Sequence, residues 1–322
     1  MPEPRAPSPA PVAWRAVIAL LVVTVIWGCT FVWMKQGMAA SRAKLGPGNG
    51  TAAVALFMAL RFGIAAVCMA VFVPAARRGL TRDAWRGGLT IGALLLGGFA
   101  LQMLGLEDVS PAVSAFLTSL YVLFTALLST AIERRGPSLG LFAGVLLATL
   151  GAGLIRGRPE VAFNAGEILT VACAVLFALH ILATDRITKR VAPMAVTLTS
   201  FTWTALGSVF LLLATRIPAD AVALGELAEL AARPAFLVPL ALSTIVATVI
   251  ALSLMNLYQR ELDPVRAAIL YAFEPIWAAL FGIACGMDRL SAWLWVGGSL
   301  LLAGNLVAEL GQRGRARATT EA

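Results

Sequence analysis

Ala112-Val113-Ser114-Ala115-Phe116-Leu117-Thr118-Ser119-Leu120-Tyr121-Val122-Leu123-Phe124-Thr125-Ala126-Leu127-Leu128-Ser129-Thr130-Ala131-Ile132 runs for 21 residues without a Lys, Arg, Asp, Glu or His. A helix needs about 20 predominantly apolar residues to cross the hydrocarbon of a bilayer, so this stretch is of spanning length. Working outward, nine more apolar runs appear at about Trp14–Met34, Thr51–Val73, Trp85–Leu106, Ser138–Ile155, Gly166–Thr184, Ala195–Thr215, Pro234–Leu257, Val265–Cys285 and Ala292–Leu310. Charges, Pro or Gly bound each one. The sequence predicts an all-α membrane protein with ten transmembrane helices.

Composition agrees. Of 322 residues 60% are hydrophobic and 13% charged, with a mean hydropathy of +0.87, against about 25% charged in ordinary soluble domains. Too few charges remain to cover a soluble globule. A secreted soluble protein, a coiled coil, a disordered chain and a nucleic-acid-binding domain are excluded, despite the formal charge of +8. Cys29, Cys68, Cys173 and Cys285 fall inside apolar runs with no CxxC spacing, and read as buried free thiols. A single histidine argues against a His-based metal site, and no cofactor is expected.

The charges fall where topology needs them. With the N-terminus in the cytoplasm, the cytoplasmic segments collect 16 of the 25 Lys and Arg and the opposite segments 8, with Arg61 inside the second run. The Lys/Arg excess marks the cytoplasmic side, so both termini are expected inside a cytoplasmic membrane. Residues 1–13, rich in proline, read as a disordered cytoplasmic tail, and 311–322 as a basic one. Trp14–Met34 is too long for a cleaved signal and reads as a retained first helix. Two connections are long. Ala39–Gly50 reads as a loop, and Ile217–Arg233 has room for a short amphipathic surface helix.

A shift of 153 residues lays Pro111 on Pro264, Ala115 on Ala268, Leu117 on Leu270, Ser138 on Ser291, Gly144 on Gly297 and Gly151 on Gly304. The repeating unit holds five helices, an odd number, so the second copy enters the membrane inverted. Residues 14–155 and 166–310 thus form two inverted five-helix repeats, a recurring architecture of secondary transporters with the site near the midplane.

Ionisable residues at bilayer depth are costly and face a cavity or a partner. Arg61 lies about nine residues, roughly 14 Å, into the second helix, and Glu274 lies well inside the ninth. Two readings stand for each. Either they serve substrate or protons, or they form an internal ion pair, with Glu274 shaping a kink beside Pro275, which cannot donate to the Tyr271 carbonyl. On helix 4, Ser114, Thr118, Tyr121, Thr125 and Ser129 form one polar stripe. The repeat maps Thr118 on Tyr271 and Tyr121 on Glu274, which predicts a cavity wall; interhelical hydrogen bonding is the alternative. Trp27, Gly28, Phe31 and Lys35 on helix 1 answer Phe177, Ala178, Ile181 and Asp185 on helix 6. His180 is a proton carrier or a satisfied structural group, and Lys35 a gating residue or a snorkelling one. Gly140, Gly144, Gly151, Gly297 and Gly304 are packing surfaces inside the bundle or between protomers, with inside preferred.

Ile26-Trp27-Gly28-Cys29-Thr30-Phe31-Val32 with Lys35 resembles the first-helix signature of EamA-type transporters of the drug/metabolite transporter superfamily. Leu60-Arg61-Phe62 resembles the second-helix signature, Ser110 through Tyr121 the fourth, and Asp263-Pro264 through Ala267-Ala268 to Glu274-Pro275 the ninth, with Gly304 near the usual glycine of the tenth. The resemblance spans Trp14 to Leu310. It implies a ten-helix inverted-repeat exporter or exchanger of small metabolites, with a cavity lined by helices 1, 3, 4, 6, 8 and 9.

The sequence therefore leads to a secondary transporter working by alternating access, and not an enzyme. Candidate substrate-binding residues are Trp27, Phe31, Thr118, Tyr121, Thr125, Phe177, Tyr271 and Glu274. Candidate coupling or gating residues are Arg61, Lys35, His180 and Glu274. Aromatic side chains with few charges suit an amphipathic metabolite such as an amino acid. With no GxxxxGK[ST] loop, ATP does not drive it. The partners expected are a small-molecule substrate and the lipid bilayer, with no nucleic acid; monomer and homodimer are both compatible. An intramembrane lipid-modifying enzyme would need a nucleophile–base pair, and a channel a ring of like groups. Reporters fused after Gly311 and inserted in the Ala39–Gly50 loop should label opposite sides of the membrane; labelling on the same side refutes ten crossings.

Overall fold

The computed structural model describes residues 14–46, 48–132, 134, 138–154, 164–215, 224–262, 267 and 270–321. The tail 1–13 and, of the repeat matches, Pro264 and Ala268 lie outside the described residues.

The apolar runs fold as helices, and no strand occurs among the described residues. In order they are α1 (Trp14–Leu45), α2 (Gly50–Phe72), α3 (Pro74–Arg78), α4 (Arg82–Gly105), α5 (Pro111–Thr118), α6 (Tyr121–Ile132), α7 (Leu139–Leu154), α8 (Ala165–Thr188), α9 (Pro193–Ala214), α10 (Leu224–Ala232), α11 (Pro234–Glu261), α12 (Glu274–Ala284) and α13 (Ala292–Glu321). Seven segments are long and apolar enough to cross a membrane: α1, α2, α4, α5 with α6, α8, α9 and α11. Leu139–Ala152, Glu274–Ala284 and Ala292–Ala308 are shorter apolar helices.

Local chemistry fixes the ends. Thr81 and Ser110 cap α4 and α5 by accepting from the Ala84 and Val113 amides, and Asn164 with Glu167 forms a capping box on α8. The Arg77 guanidinium turns back onto the Ala70 and Val71 carbonyls at the end of α2. Outward faces carry large apolar side chains such as Phe72, Phe142, Phe210 and Leu213, as lipid contact requires.

Three expectations change. Ala39–Leu45 is not loop: α1 continues through it, because Ser41 bonds back to the Gly37 carbonyl and Arg42 and Lys44 find acids on neighbouring segments, Arg42 on Glu107 at 2.9 Å and Lys44 on Glu226 and Glu229. The helix over Ala112–Ile132 is not continuous but turns at Ser119–Leu120. Only Cys173 is buried; Cys29 and Cys68 are half-buried and Cys285, at the end of α12, is exposed. The short surface helix expected within Ile217–Arg233 is α10, whose Glu229 pairs with both Lys44 and Arg233; residues 217–223 lie outside the described residues.

The packing scheme is unchanged when the two halves are exchanged. α2 packs on α9, and α7 on α13; α1 packs on α12 as α8 does on α5 and α6; α4 packs on α8 as α11 does on α1. The α7–α13 pair is the tightest. A Cβ on Gly144 would lie 2.5 Å from the Ala308 Cβ, and one on Gly304 would lie 2.7 Å from the Gly144 carbonyl oxygen and 2.9 Å from the Ala148 Cα. The glycine faces therefore meet inside the chain. Gly304→Ala should cost about 1–3 kcal/mol by overpacking, lowering the melting temperature of the purified protein. Gly63→Ala, where a Cβ meets nothing within 4 Å, should not.

Candidate functional site

Among the described residues three helix interruptions surround one cavity. The turn Ala272–Phe273 precedes α12, 153 residues after the turn Ser119–Leu120. Pro275 has no amide to give the Tyr271 carbonyl, and the Tyr121 hydroxyl stands in, 3.3 Å from that oxygen and 3.0 Å from Glu274 Oε2. Its one proton serves either acceptor. At the first turn, Asn305 Nδ2 donates to the Ser119 carbonyl at 3.0 Å, and the Ser119 hydroxyl donates to the Phe116 carbonyl at 2.7 Å. In α11 the backbone widens into π-helical turns over Leu242–Ile250. There Trp27 Nε1 donates to the Ala247 carbonyl at 3.3 Å, and Thr248 donates to the Ser243 carbonyl at 2.7 Å while accepting from Arg61 Nε at 2.6 Å.

Between these interruptions lies a narrow cavity of about 60 Å³. Its wall is built from repeat-related positions. Trp27, Thr30 and Phe31 of α1 face the same space as Phe177, His180 and Ile181 of α8, each 150 residues on; Phe99 and Gln102 of α4 answer Leu252 and Met255 of α11, each 153 on. Thr118, Tyr121, Glu274, Arg61, Met34 and Leu95 complete it. Gly28 permits the closeness of α1 and α12: a Cβ there would lie 2.8 Å from the Ala278 nitrogen and 2.9 Å from the Glu274 carbonyl oxygen.

Of the candidates, Trp27, Phe31, Thr118, Tyr121, Phe177, Glu274, Arg61 and His180 are brought to this cavity. Thr125 is not on its wall; its hydroxyl is spent on the Tyr121 carbonyl at 2.7 Å. Tyr271 sits one layer behind, its ring 5.8 Å from Trp27 and its hydroxyl donating to Gln259 at 3.0 Å. Ser114 is buried with no partner for its hydroxyl among the described residues. The stripe on helix 4 therefore reaches the cavity only at Thr118 and Tyr121, on either side of the turn, while Ser114 and Thr125, farther out, do not. Arg61 and Glu274 do not form an ion pair: Arg61 bonds Thr248 and Glu274 bonds Tyr121. His180 lies 3.5 Å from the Thr184 hydroxyl.

Gln102, which donates to Thr118 at 3.3 Å, is a cavity residue that sequence reasoning missed. The signal was present, as it is the one amide side chain in the third run. Phe99 and Met255 carried no signal beyond apolarity.

Beyond the cavity, along the C-terminal part of α1, polar ties close one end of the bundle. Lys35 Nζ donates to the Val109 carbonyl at 2.5 Å, and Asp288 Oδ2 accepts from the Ala112 amide at 3.0 Å. Burial pushes the Asp288 carboxyl up, opposed by the Ser110 hydroxyl, the Ala112 amide and the Lys35 charge.

A double-mutant cycle between Tyr121→Phe and Glu274→Gln should show a coupling of about 1–3 kcal/mol in unfolding, as expected for a buried hydrogen bond to an acid. Strict additivity would show that the two side chains do not interact.

Comparison with known proteins completes the picture. The model of the EamA-like transporter family matches residues 14–157 and again 164–309. An uncharacterized transporter of Archaeoglobus fulgidus is 25% identical over 295 residues, covering 92% of this chain and 86% of that protein. A solved crystal structure shares the fold, with a TM-score of 0.59 at 19% identity over 93% of this chain and 98% of that one. The two matched segments are the two halves whose packing exchanges, and their shared cavity lies within apolar helices. This chain belongs to the EamA-like transporter family and is a multi-pass membrane transporter.

Proposed function

We propose that this protein is a secondary transporter that exports or exchanges small amphipathic metabolites such as amino acids across the cytoplasmic membrane. In this reading ten helices, five from each of two inverted repeats, cross the bilayer, with both termini cytoplasmic and the repeats spanning residues 14–155 and 166–310. One observation carries the reading: the cavity is walled by equivalent positions of both halves, as a site serving two opposite openings requires.

In this conformation the cavity is too small to hold a metabolite. About 60 Å³ is well below the ~300–1,000 Å³ of small-molecule pockets, so the walls must part to load substrate. Hydrogen bonds such as Lys35 to Val109 and Asp288 to Ala112 close one end, which the charge bias assigns to the outside. Such ties can be exchanged for water when that end opens, whereas apolar interdigitation would resist it. Aromatic rings from α1, α4 and α8 would hold an apolar substrate body, while Tyr121, Glu274, Thr118 and Gln102 offer polar contacts. Exchange, proton coupling and facilitated movement all fit this geometry.

Proteoliposomes preloaded with L-phenylalanine or L-leucine should accumulate the labelled compound by counterflow, and an imposed pH gradient should accelerate uptake if protons are coupled. Glu274→Gln should lose transport while remaining folded and eluting like the wild type, its melting temperature lowered by no more than the weakening of the Tyr121 bond accounts for. A folded, fully active Glu274→Gln removes Glu274 from the mechanism, and no counterflow of any amino acid removes the substrate class.

A further inference from the structure

Among the described residues Arg61 is the only buried Lys or Arg, with 0% of its surface exposed. Its partners are weak for a permanent cation. Nε meets the Thr248 hydroxyl at 2.6 Å, one terminal nitrogen meets the Met34 thioether at 3.3 Å, and the guanidinium carbon sits 4.6 Å from the centre of the Phe99 ring. The other terminal nitrogen has no hydrogen-bond partner among the described residues. Arginine does not give up its proton in proteins, so the charge is held inside a membrane helix with no counter-ion among the described residues. A structural arginine at this depth would be paired. The missing partner is an anion, and the side chain that lacks it lines the cavity.

The cavity limits what that anion is. A guanidinium fork matches a carboxylate with two parallel hydrogen bonds. Among the described residues only one Lys or Arg lines the cavity, and Glu274 lines the same space, so a dianion such as phosphate would be under-neutralised and repelled. The rings of Trp27, Phe31, Phe99 and Phe177 receive an apolar body, and Glu274 is placed to accept an ammonium group. Resting on the transport reading above, we propose that Arg61 is the binding residue for the substrate's carboxylate, which makes the substrate class small amphipathic monocarboxylates, zwitterionic α-amino acids included.

The test is binding to the purified full chain, followed by thermal unfolding, with phenylalanine, 3-phenylpropionate, phenethylamine and inorganic phosphate as probes. The two carboxylates should raise the melting temperature saturably, and the amine and phosphate should not. In Arg61→Met, 3-phenylpropionate should bind about tenfold or more weakly, the effect of losing a charge-assisted hydrogen bond. Unliganded Arg61→Met should melt no lower than the wild type, because the charge removed had no counter-ion and Thr248 keeps its bond to the Ser243 carbonyl. Arg61→Lys, with the charge but not the fork, should bind with intermediate affinity. The proposal is overturned if no carboxylate shifts the wild type, if phosphate or phenethylamine shifts it as much, if 3-phenylpropionate binds Arg61→Met undiminished, or if unliganded Arg61→Met melts far below the wild type. The two readings fail separately. Carboxylate binding without movement across proteoliposomes refutes transport and leaves the role of Arg61, whereas counterflow of phenethylamine equal to that of phenylalanine refutes the role of Arg61 and leaves transport.

Discussion

A backbone carbonyl released inside a bilayer has no water to turn to, so every break in a spanning helix must be answered by a donor from the protein. Three breaks are answered here. Tyr121 bonds the Tyr271 carbonyl beside Pro275, Asn305 bonds the Ser119 carbonyl, and Trp27 bonds the Ala247 carbonyl within the π-helical turns. Two of these donors, Tyr121 and Trp27, also line the cavity. The residues that make the interruptions tolerable are thus partly the residues that shape the site. Substituting them changes backbone satisfaction and cavity chemistry together, which is why stability has to be measured beside function.

The contacts that join the two halves differ in stiffness. α7 and α13 meet through glycines with no room for a Cβ between them, a contact that holds backbones at close range and resists sliding. Around the cavity the contacts are of another kind, with aromatic rings tilted or edge-on to one another, as in Phe99 with Phe177 and Trp27 with Tyr271, and hydroxyls with a choice of acceptor. Such contacts rearrange at lower cost than glycine-to-backbone packing, so motion between the halves is expected at the cavity rather than along the α7–α13 seam.

Polar groups near the cavity differ in how well they are served. Glu274 has Tyr121, Gln102 has Thr118, and Thr248 has both Arg61 and a backbone carbonyl. Of the side chains that line the cavity, Arg61 is the one left, among the described residues, with neutral acceptors and an idle nitrogen. Natural interiors satisfy their polar groups, and an exception facing a cavity between two exchanging halves is a place where a ligand completes the structure.

The sequence by itself determined the membrane class, the order of the apolar helices and the repeat register, because hydrophobicity and its period are carried by side-chain type alone. The 153-residue shift even aligns the two turns that the structure shows, although the apolar pattern around Ser119 reads as unbroken helix. It also brought out Tyr121 and Glu274 as equivalent positions of one expected cavity wall, since a tyrosine and an acid at equivalent depth are rare enough to stand out; that they bond each other came from the structure. Only tertiary structure decided that Arg61 turns to Thr248 rather than to Glu274, that Thr125 spends its hydroxyl on its own helix, and that Gln102 and Asn305 serve neighbouring helices. Helical periodicity gives a residue its face and depth. It does not give the rotation of one helix against another, and whether a buried polar group meets a partner, a backbone carbonyl or an empty space depends on that rotation.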